Sequence, residues 1–335
     1  MPKKINKLTN NIFWLRSRVK GLPLDIAWWL GSGRSFLKNT PGSRLLVYHG
    51  ICTKDFLKFN TLFVTAKKFE TQLQFYKKYC NLVSLDDYYA QRFSKDRFNL
   101  CLSFDDGFAN NYKYVLPLLE KYKIPASFFI TGIRSAGYAF LWNDLLSIAQ
   151  RYGPEELVCS KNIFIKDRNG KYISAATKKP LSLALRETGF ADKMAVLQQL
   201  DAVTRIAHED YWLQMTEEQI KTLSQSKWVT IGSHGLYHND LAKIPLADVT
   251  QEMIQSKSWL ENITGKAVNA LAFPYGSYTN EITVAAKQVG YTRLLATALN
   301  TAADKTDLSL KERLTINPFI SNINQLHANI NGHYR

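Results

Sequence analysis

The sequence predicts an α/β fold built on a parallel sheet, and three observations carry that prediction. From residue 44 onward, short apolar runs alternate with amphipathic stretches of helical period. Several of these runs stop on a carboxylate, an imidazole or a Pro-Gly loop, where the C-terminal ends of parallel strands open onto a site. The alternation lapses only between about residues 133 and 227, which reads as an insertion over the mouth of one domain. A closed barrel and a doubly wound sheet both satisfy this pattern.

Residues 1–43 form a basic segment ahead of the domain at 44–335. Lys3, Lys4, Lys7, Arg16, Arg18, Lys20 and Arg34 lie among Phe13, Trp14, Leu15, Trp28, Trp29 and Leu30. Charges interrupt every apolar run before it reaches the length of a signal core or a membrane span. We therefore expect a protein that is not exported by the usual route, cytoplasmic and peripheral to the inner membrane. Two structures suit the segment equally: an interfacial helix with tryptophans at headgroup depth facing an anionic membrane, or a helix packed on the domain.

Arg44 to His49 is a short apolar strand ending on histidine. A helix is expected from Phe63 to Tyr79, a strand at Leu82–Leu85 and a helical stretch from Asp86 to Arg92. Leu100 to Phe104 then forms a strand that stops on Asp105, Asp106 and Gly107. A helix through Tyr114–Leu119 and the strand Ala126–Ile130 follow. Within the insertion, a polar hairpin is expected around Lys166–Lys171 and helices near Ala191–Ala207 and Thr216–Ser224. The core pattern resumes with the strand from Trp228 to His234, a helix from about Pro245 to Ile263 and the strand Val268–Phe273. The helix Glu281–Val289, the strand Tyr291–Thr297 and the segment Glu312–Ile316 complete it.

Charge narrows the partners. Lys and Arg number 43 against 28 Asp and Glu, a formal net charge of +15 that favours an acidic glycan, a lipid surface or nucleic acid. No zinc-finger spacing or RNA-binding signature accompanies it, which argues against nucleic acid. Cys52, Cys80, Cys101 and Cys159 form no CxxC pair and suit a reducing compartment, with Cys101 serving as a small buried hydrophobe.

Asp105 and Asp106 close a core strand, and buried carboxylates are costly unless paired or metal-bound. Alone they would read as a turn. His234 and His238 end another strand on the same rim, and two imidazoles with one carboxylate are a usual ligand set for a catalytic divalent ion. Asn239 or Asp240 is the expected acceptor that orients the rings. The loop Phe273-Pro274-Tyr275-Gly276 offers the Tyr275 amide to a developing oxyanion.

Ser103-Phe104-Asp105-Asp106-Gly107, Ser233-His234-Gly235-Leu236-Tyr237-His238 and Phe273-Pro274-Tyr275-Gly276 resemble, in order, the first three motifs of the NodB-homology polysaccharide deacetylases, carbohydrate esterase family 4. The resemblance covers roughly Arg44 to Arg313 apart from the insertion. It implies a distorted (β/α) barrel of the NodB-homology type with a mostly helical insertion, and metal-dependent removal of acetyl from an aminosugar. Carried over, Asp105 is the general base, and Asp106, His234 and His238 hold the metal, most often zinc. The Tyr275 amide holds the oxyanion. No C-terminal strand ends on the family's usual acid histidine, so the chain resembles the permuted branch that includes poly-N-acetylglucosamine deacetylases, with His49 as the acid. Asn269-Ala270-Leu271-Ala272 lacks the arginine that usually orients the base, and Arg313 is its expected substitute. Phe273, Pro274, Arg313 and Trp142 are the candidate substrate contacts. The implied partner is an acetylated aminosugar glycan of the cell surface or its lipid-linked precursor. Two other classes remain: a glycan-binding protein of the same fold with impaired catalysis, and an amidase or deformylase acting on another small substrate.

Overall fold

Parallel strands close into a seven-stranded barrel in a computed structural model of the chain, which describes residues 7–31, 40–53, 60–205 and 209–334. Helix α1 (Lys7–Trp29) precedes β1 (Ser43–Tyr48), the short strands β2 (Ile51–Cys52) and β3 (Val64–Thr65), and α2 (Ala66–Tyr79). Then come β4 (Asn81–Leu82), α3 (Leu85–Tyr89), β5 (Asn99–Phe104), α4 (Leu116–Tyr122) and β6 (Ala126–Ile130). The insertion holds α5 (Trp142–Tyr152), β7 (Glu156–Cys159), β8 (Asn162–Lys166), β9 (Tyr172–Ser174), α6 (Leu181–Arg186), α7 (Phe190–Gln198), α8 (Asp201–Thr204) and α9 (Glu209–Trp212). The barrel resumes with α10 (Glu217–Gln225), β10 (Val229–Ser233), α11 (Leu246–Thr264), β11 (Ala270–Ala272) and α12 (Asn280–Gln288). It ends with β12 (Arg293–Ala296), α13 (Ala302–Thr306), β13 (Leu310–Thr315) and α14 (Asn322–Asn331).

The strand order is β1-β13-β12-β11-β10-β6-β5, and β5 closes back onto β1, with β4 as an extra strand beside β5. The first strand thus sits between β5 and the last strand of the chain. All six residues of β5 are buried, as expected for a parallel strand covered on both faces. Leu45 is level with both Arg313 and Cys101, so alternation puts Cys101, Ser103 and Asp105 on the face that Arg313 occupies. Phe104 takes the other face. It stacks between Tyr48 at 5.2 Å and Phe128 at 5.0 Å, and Tyr48 reaches Gln72 on α2. Small residues at Cys101, Ser103, Ala270 and Ala272 leave the barrel interior room for a long side chain.

Several expected boundaries shift for local reasons. Thr65 accepts a hydrogen bond from the Lys68 amide and caps α2, so the helix begins after Phe63, which instead stacks on Tyr211 in the insertion. Ser84 caps α3, and the helix stops short of Arg92, with Gln91 at a φ of 53°. The strand expected at Val268–Phe273 pairs only over Ala270–Ala272.

The insertion has its own core, with Trp142, Leu146, Phe164, Tyr172, Val196 and Trp212 buried together. Its expected polar hairpin is a three-stranded antiparallel sheet, β7-β8-β9, and the rest is helical. Met215, Ile220 and Leu223 belong to the barrel core, so α10, expected inside the insertion, is a barrel helix packed on α11.

Helix α1 rests on the domain. The Asn324 amide donates to the Gly21 carbonyl and to Asp25, and Trp28 packs on Phe75 and Tyr79. Lys3, Lys4 and Arg34 lie outside the described residues, and Phe13, Trp14 and Leu15 outside the described side chains. Among the described residues no helix is long and apolar enough to cross a membrane. The four cysteines are buried thiols, and burial pushes the Cys101 thiol well up.

Candidate active site

Three loops at one end of the barrel each turn through a non-glycine residue in the left-handed region: Asp106 (φ 75°), His238 (φ 54°) and Tyr275 (φ 60°). Each such residue costs about 1–3 kcal/mol and persists only when its surroundings fix it. The Asp106 carbonyl accepts from the Thr131 hydroxyl at 2.9 Å, and the His238 carbonyl accepts from the Trp142 indole at 3.1 Å. The Tyr275 ring lies under the Arg186 guanidinium at 4.4 Å and against the His238 ring at 4.8 Å. At Gly276 a Cβ would come within 2.0 Å of the Thr297 hydroxyl, so only glycine fits there.

These turns bring Asp106, His234 and His238 together. Their ligand atoms lie within 4.8 Å of one another, and all three residues are buried. Asp106 Oδ1 is 3.4 Å from His234 Nε2 and 3.2 Å from His238 Nε2. His234 Nδ1 is 2.7 Å from the Ala272 carbonyl, which can only accept, so Nδ1 carries the hydrogen and Nε2 presents its lone pair to the centre. The expected orienting residues do something else. Asn239 donates to Glu252 and accepts from Lys193, and Asp240 pairs with Arg186 at 2.7 Å. The donor set fits a divalent ion: two imidazoles and one carboxylate, with Asp106 Oδ1 buried and without a hydrogen-bond partner among the described residues.

Asp105 stands beside this cluster, held from inside the barrel. Arg313 reaches across from β13, and its two terminal nitrogens each donate to one carboxylate oxygen at 2.7 Å. Burial alone would raise the Asp105 pKa. Arg313 and then His234 outweigh it, and the carboxyl sits below its ordinary range. Burial would raise Asp106 as well, but the His234 and His238 imidazoles at 3.4 and 3.2 Å outweigh it and hold the carboxyl well below that range. Burial lowers the His238 pKa and Asp106 only partly offsets it, whereas Asp105 and Asp106 outweigh burial at His234 and raise it.

Asp105, Asp106, His234, His238, His49 and Tyr275 all line one cavity of about 340 Å³, together with Asn60, Asn143, Thr297 and Thr315. His49 Nδ1 is buried and has no hydrogen-bond partner among the described residues. The four candidate substrate contacts lie elsewhere. Arg313 is spent on Asp105, and Phe273 is wholly buried and stacked on Tyr278. Pro274 is buried, and Trp142 is buried with its indole committed to His238. None of the four lines that cavity, and they support the site from behind it.

Sequence reasoning missed a set of polar residues in and around the insertion. Asp144 is buried beside the site with Oδ2 lacking a partner among the described residues, and burial, then the Asp106 charge, pushes its carboxyl well above the ordinary value. Lys193 is fully buried, and its ammonium donates to Thr188 and Asn239 and lies 5.0 Å from the Trp142 ring. Burial lowers its pKa to about 8. Arg186 and Glu252 complete the set. No periodicity marks these positions, and only Asp144 adjoins a feature, Trp142-Asn143, that stands out in the sequence.

Comparison with known proteins gives the family. The family described as polysaccharide deacetylase matches residues 94–156 and 186–294. YxkH of Bacillus subtilis, a polysaccharide deacetylase by name, is 27% identical over 107 residues, 32% of this chain, and the match spans 38% of that protein's length. The Streptococcus pyogenes deacetylase PplD, solved with acetate, superposes with a TM-score of 0.56 at 19% identity, covering 85% of this chain and 97% of that one. IcaB from Ammonifex degensii gives 0.54 at 17% identity, covering 86% and 97%. BC0361, a polysaccharide deacetylase from Bacillus cereus, gives 0.53 at 18%, covering 86% and 68%. At these identities the superpositions establish the barrel fold. The matched segments include the strand ends that carry Asp105, Asp106, His234 and His238 and leave out β8 and β9 of the insertion, and on that match the chain belongs to the polysaccharide deacetylase family.

Proposed function

We propose that the protein hydrolyses the N-acetyl group of an aminosugar in a cell-surface polysaccharide or its lipid-linked precursor, with a divalent ion, zinc in the first instance, held by Asp106, His234 and His238. The observation that carries this reading is the convergence in one cavity of that ligand set and a separate carboxylate, Asp105, kept ionised by Arg313. The name of the matched family and that of BC0361, a polysaccharide deacetylase, support the substrate class.

A bound ion of this kind polarises the acetyl carbonyl and acidifies water. The rest of the chemistry falls to the chain. Asp105, ionised at neutral pH, takes the proton from the water that attacks the carbonyl carbon. Arg313 fixes both carboxylate oxygens, so the base neither rotates nor protonates early. The Tyr275 backbone amide is the donor assigned to the oxyanion. When the carbon–nitrogen bond breaks, the amine nitrogen needs a proton, and this reading gives that role to His49, which lines the same cavity. Acetate and the free amine leave.

The test is acetate release from N-acetylglucosamine oligomers and lipid-linked N-acetylated sugars by metal-stripped protein reloaded with zinc, beside Asp105→Asn. Zinc should bind one per chain in both proteins and restore release only in the wild type, with the variant slowed about 10²–10⁴-fold. Stoichiometric zinc with no turnover on any substrate, or a variant as fast as the wild type, would remove the assignment.

A further inference from the structure

The side of α1 turned away from the domain is apolar. Val19, Leu22, Ile26, Trp29 and Leu30 are exposed by 49% to 84%, Trp29 the most. At 3.6 residues per turn they share an arc of about 100°. The same spacing continues in the sequence at Leu15, Ile12 and Leu8. The opposite side is the one packed on the domain, through Gly21, Asp25 and Trp28. Asp25 is the one carboxylate in residues 1–43, and it is bound by Ser321 and Asn324. The outward stripe therefore carries no acid. Arg18 and Lys20 are exposed and border it on either side. Lys78, also exposed, lies 5.3 Å from the Tyr79 ring against which Trp28 packs.

We infer that this face of α1 docks on an anionic phospholipid bilayer, with Trp29 and the aliphatic side chains at headgroup depth and the flanking cations toward lipid phosphate. Apolar area and positive charge on one face are the two contributions that add in such binding. A second copy of the helix fits less well, because Arg18 and Lys20 would confront like charges where a bilayer offers opposite ones. The helix is too short of apolar residues to span, so the contact is one-sided. The inference goes beyond the proposed reaction and stands or falls separately from it.

Co-sedimentation of the full chain with vesicles of phosphatidylcholine, alone or mixed with phosphatidylglycerol, decides the matter. The protein should bind the mixed vesicles, bind phosphatidylcholine far less, and release as salt rises. The triple variant Leu22→Ser, Ile26→Ser, Trp29→Ser should lower partitioning at least about tenfold with an unchanged melting temperature, since these side chains are exposed. The pair Lys20→Glu, Lys78→Glu should erase the preference for phosphatidylglycerol and decides alone if the triple variant melts early. Absence of binding, binding untouched by the variants, or a dimer that the triple variant dissolves would overturn the inference.

Discussion

The barrel and the insertion meet at the same cavity but treat their polar residues in opposite ways. Barrel residues reach the site from strand ends and keep their charges: Asp105 against Arg313, Asp106 against two imidazoles. The insertion supplies no member of the ligand cluster. It sends Trp142 to the His238 carbonyl, Arg186 to Asp240 and the Tyr275 ring, and Lys193 to Asn239. Two of the three left-handed turns, at His238 and Tyr275, are thus braced from outside the barrel. The difference teaches that chemistry and geometry have separate sources here. Strand ends provide the reactive groups, and a subdomain with its own core holds the loops in strained conformations.

If that division is right, the largest effect should come from inside the barrel. Arg313→Met leaves Asp105 buried without its fork, and breaking a buried ion pair from one side costs about 3–5 kcal/mol. Urea denaturation should show that loss, and acetate release should fall with it as the base loses its orientation. Arg313→Lys keeps the charge but not the paired donors and should lie between. A Met variant as stable and as fast as the wild type would mean that the base is held by something other than β13.

The insertion's contribution should appear first in metal affinity. Lys193→Met keeps the buried volume but cuts the tie to Asn239, whose other partner is Glu252 on α11, directly after the His238 turn. Loss of such outer support typically weakens metal binding about 10–100-fold. Chelator competition should find that loss with little change in melting temperature. Unchanged zinc affinity with a raised KM would instead make the insertion a substrate wall, and the comparison would have to be redrawn.

Much of the barrel side was legible in the sequence because a short apolar run is a local signal. Apolar runs stopping on Asp105, His234 or His49 name both the strand and the rim where its last side chain sits. Arg313 was legible only as a substitute for an absent arginine. Its partner lies 208 residues away, and nothing local reports that distance. The orienting group of His234 was misassigned to Asn239 or Asp240 because the true acceptor is the backbone carbonyl of Ala272, and a backbone atom has no letter in the sequence. Lys193, Arg186 and Asp144 act through tertiary contacts of helices whose own patterns serve the insertion's core. A lysine in an amphipathic stretch reads as solvated, and only the packed structure shows it buried.

The smallest expected effect distinguishes the two regions by the sign of a pH slope. Asp105 has a folded-state pKa below its ordinary 3.8, through Arg313 and His234 acting against burial. Its contribution to stability is therefore complete above about pH 4 and is lost as pH falls through the folded value. Asp144 is raised well above 3.8 by burial and by Asp106. From about pH 4 upward the unfolded chain gives up that proton while the folded protein keeps it, so stability falls as pH rises. Denaturation of metal-free protein from acid to neutral pH should then give opposite trends. The cost of Asp105→Asn should grow as pH rises to about 4 and then level off, whereas Asp144→Asn should become progressively stabilising from about pH 4 upward. Parallel trends for the two variants would show that the insertion, like the barrel, holds its carboxylate as an anion, and the contrast between the regions would fail at the residue where they come closest.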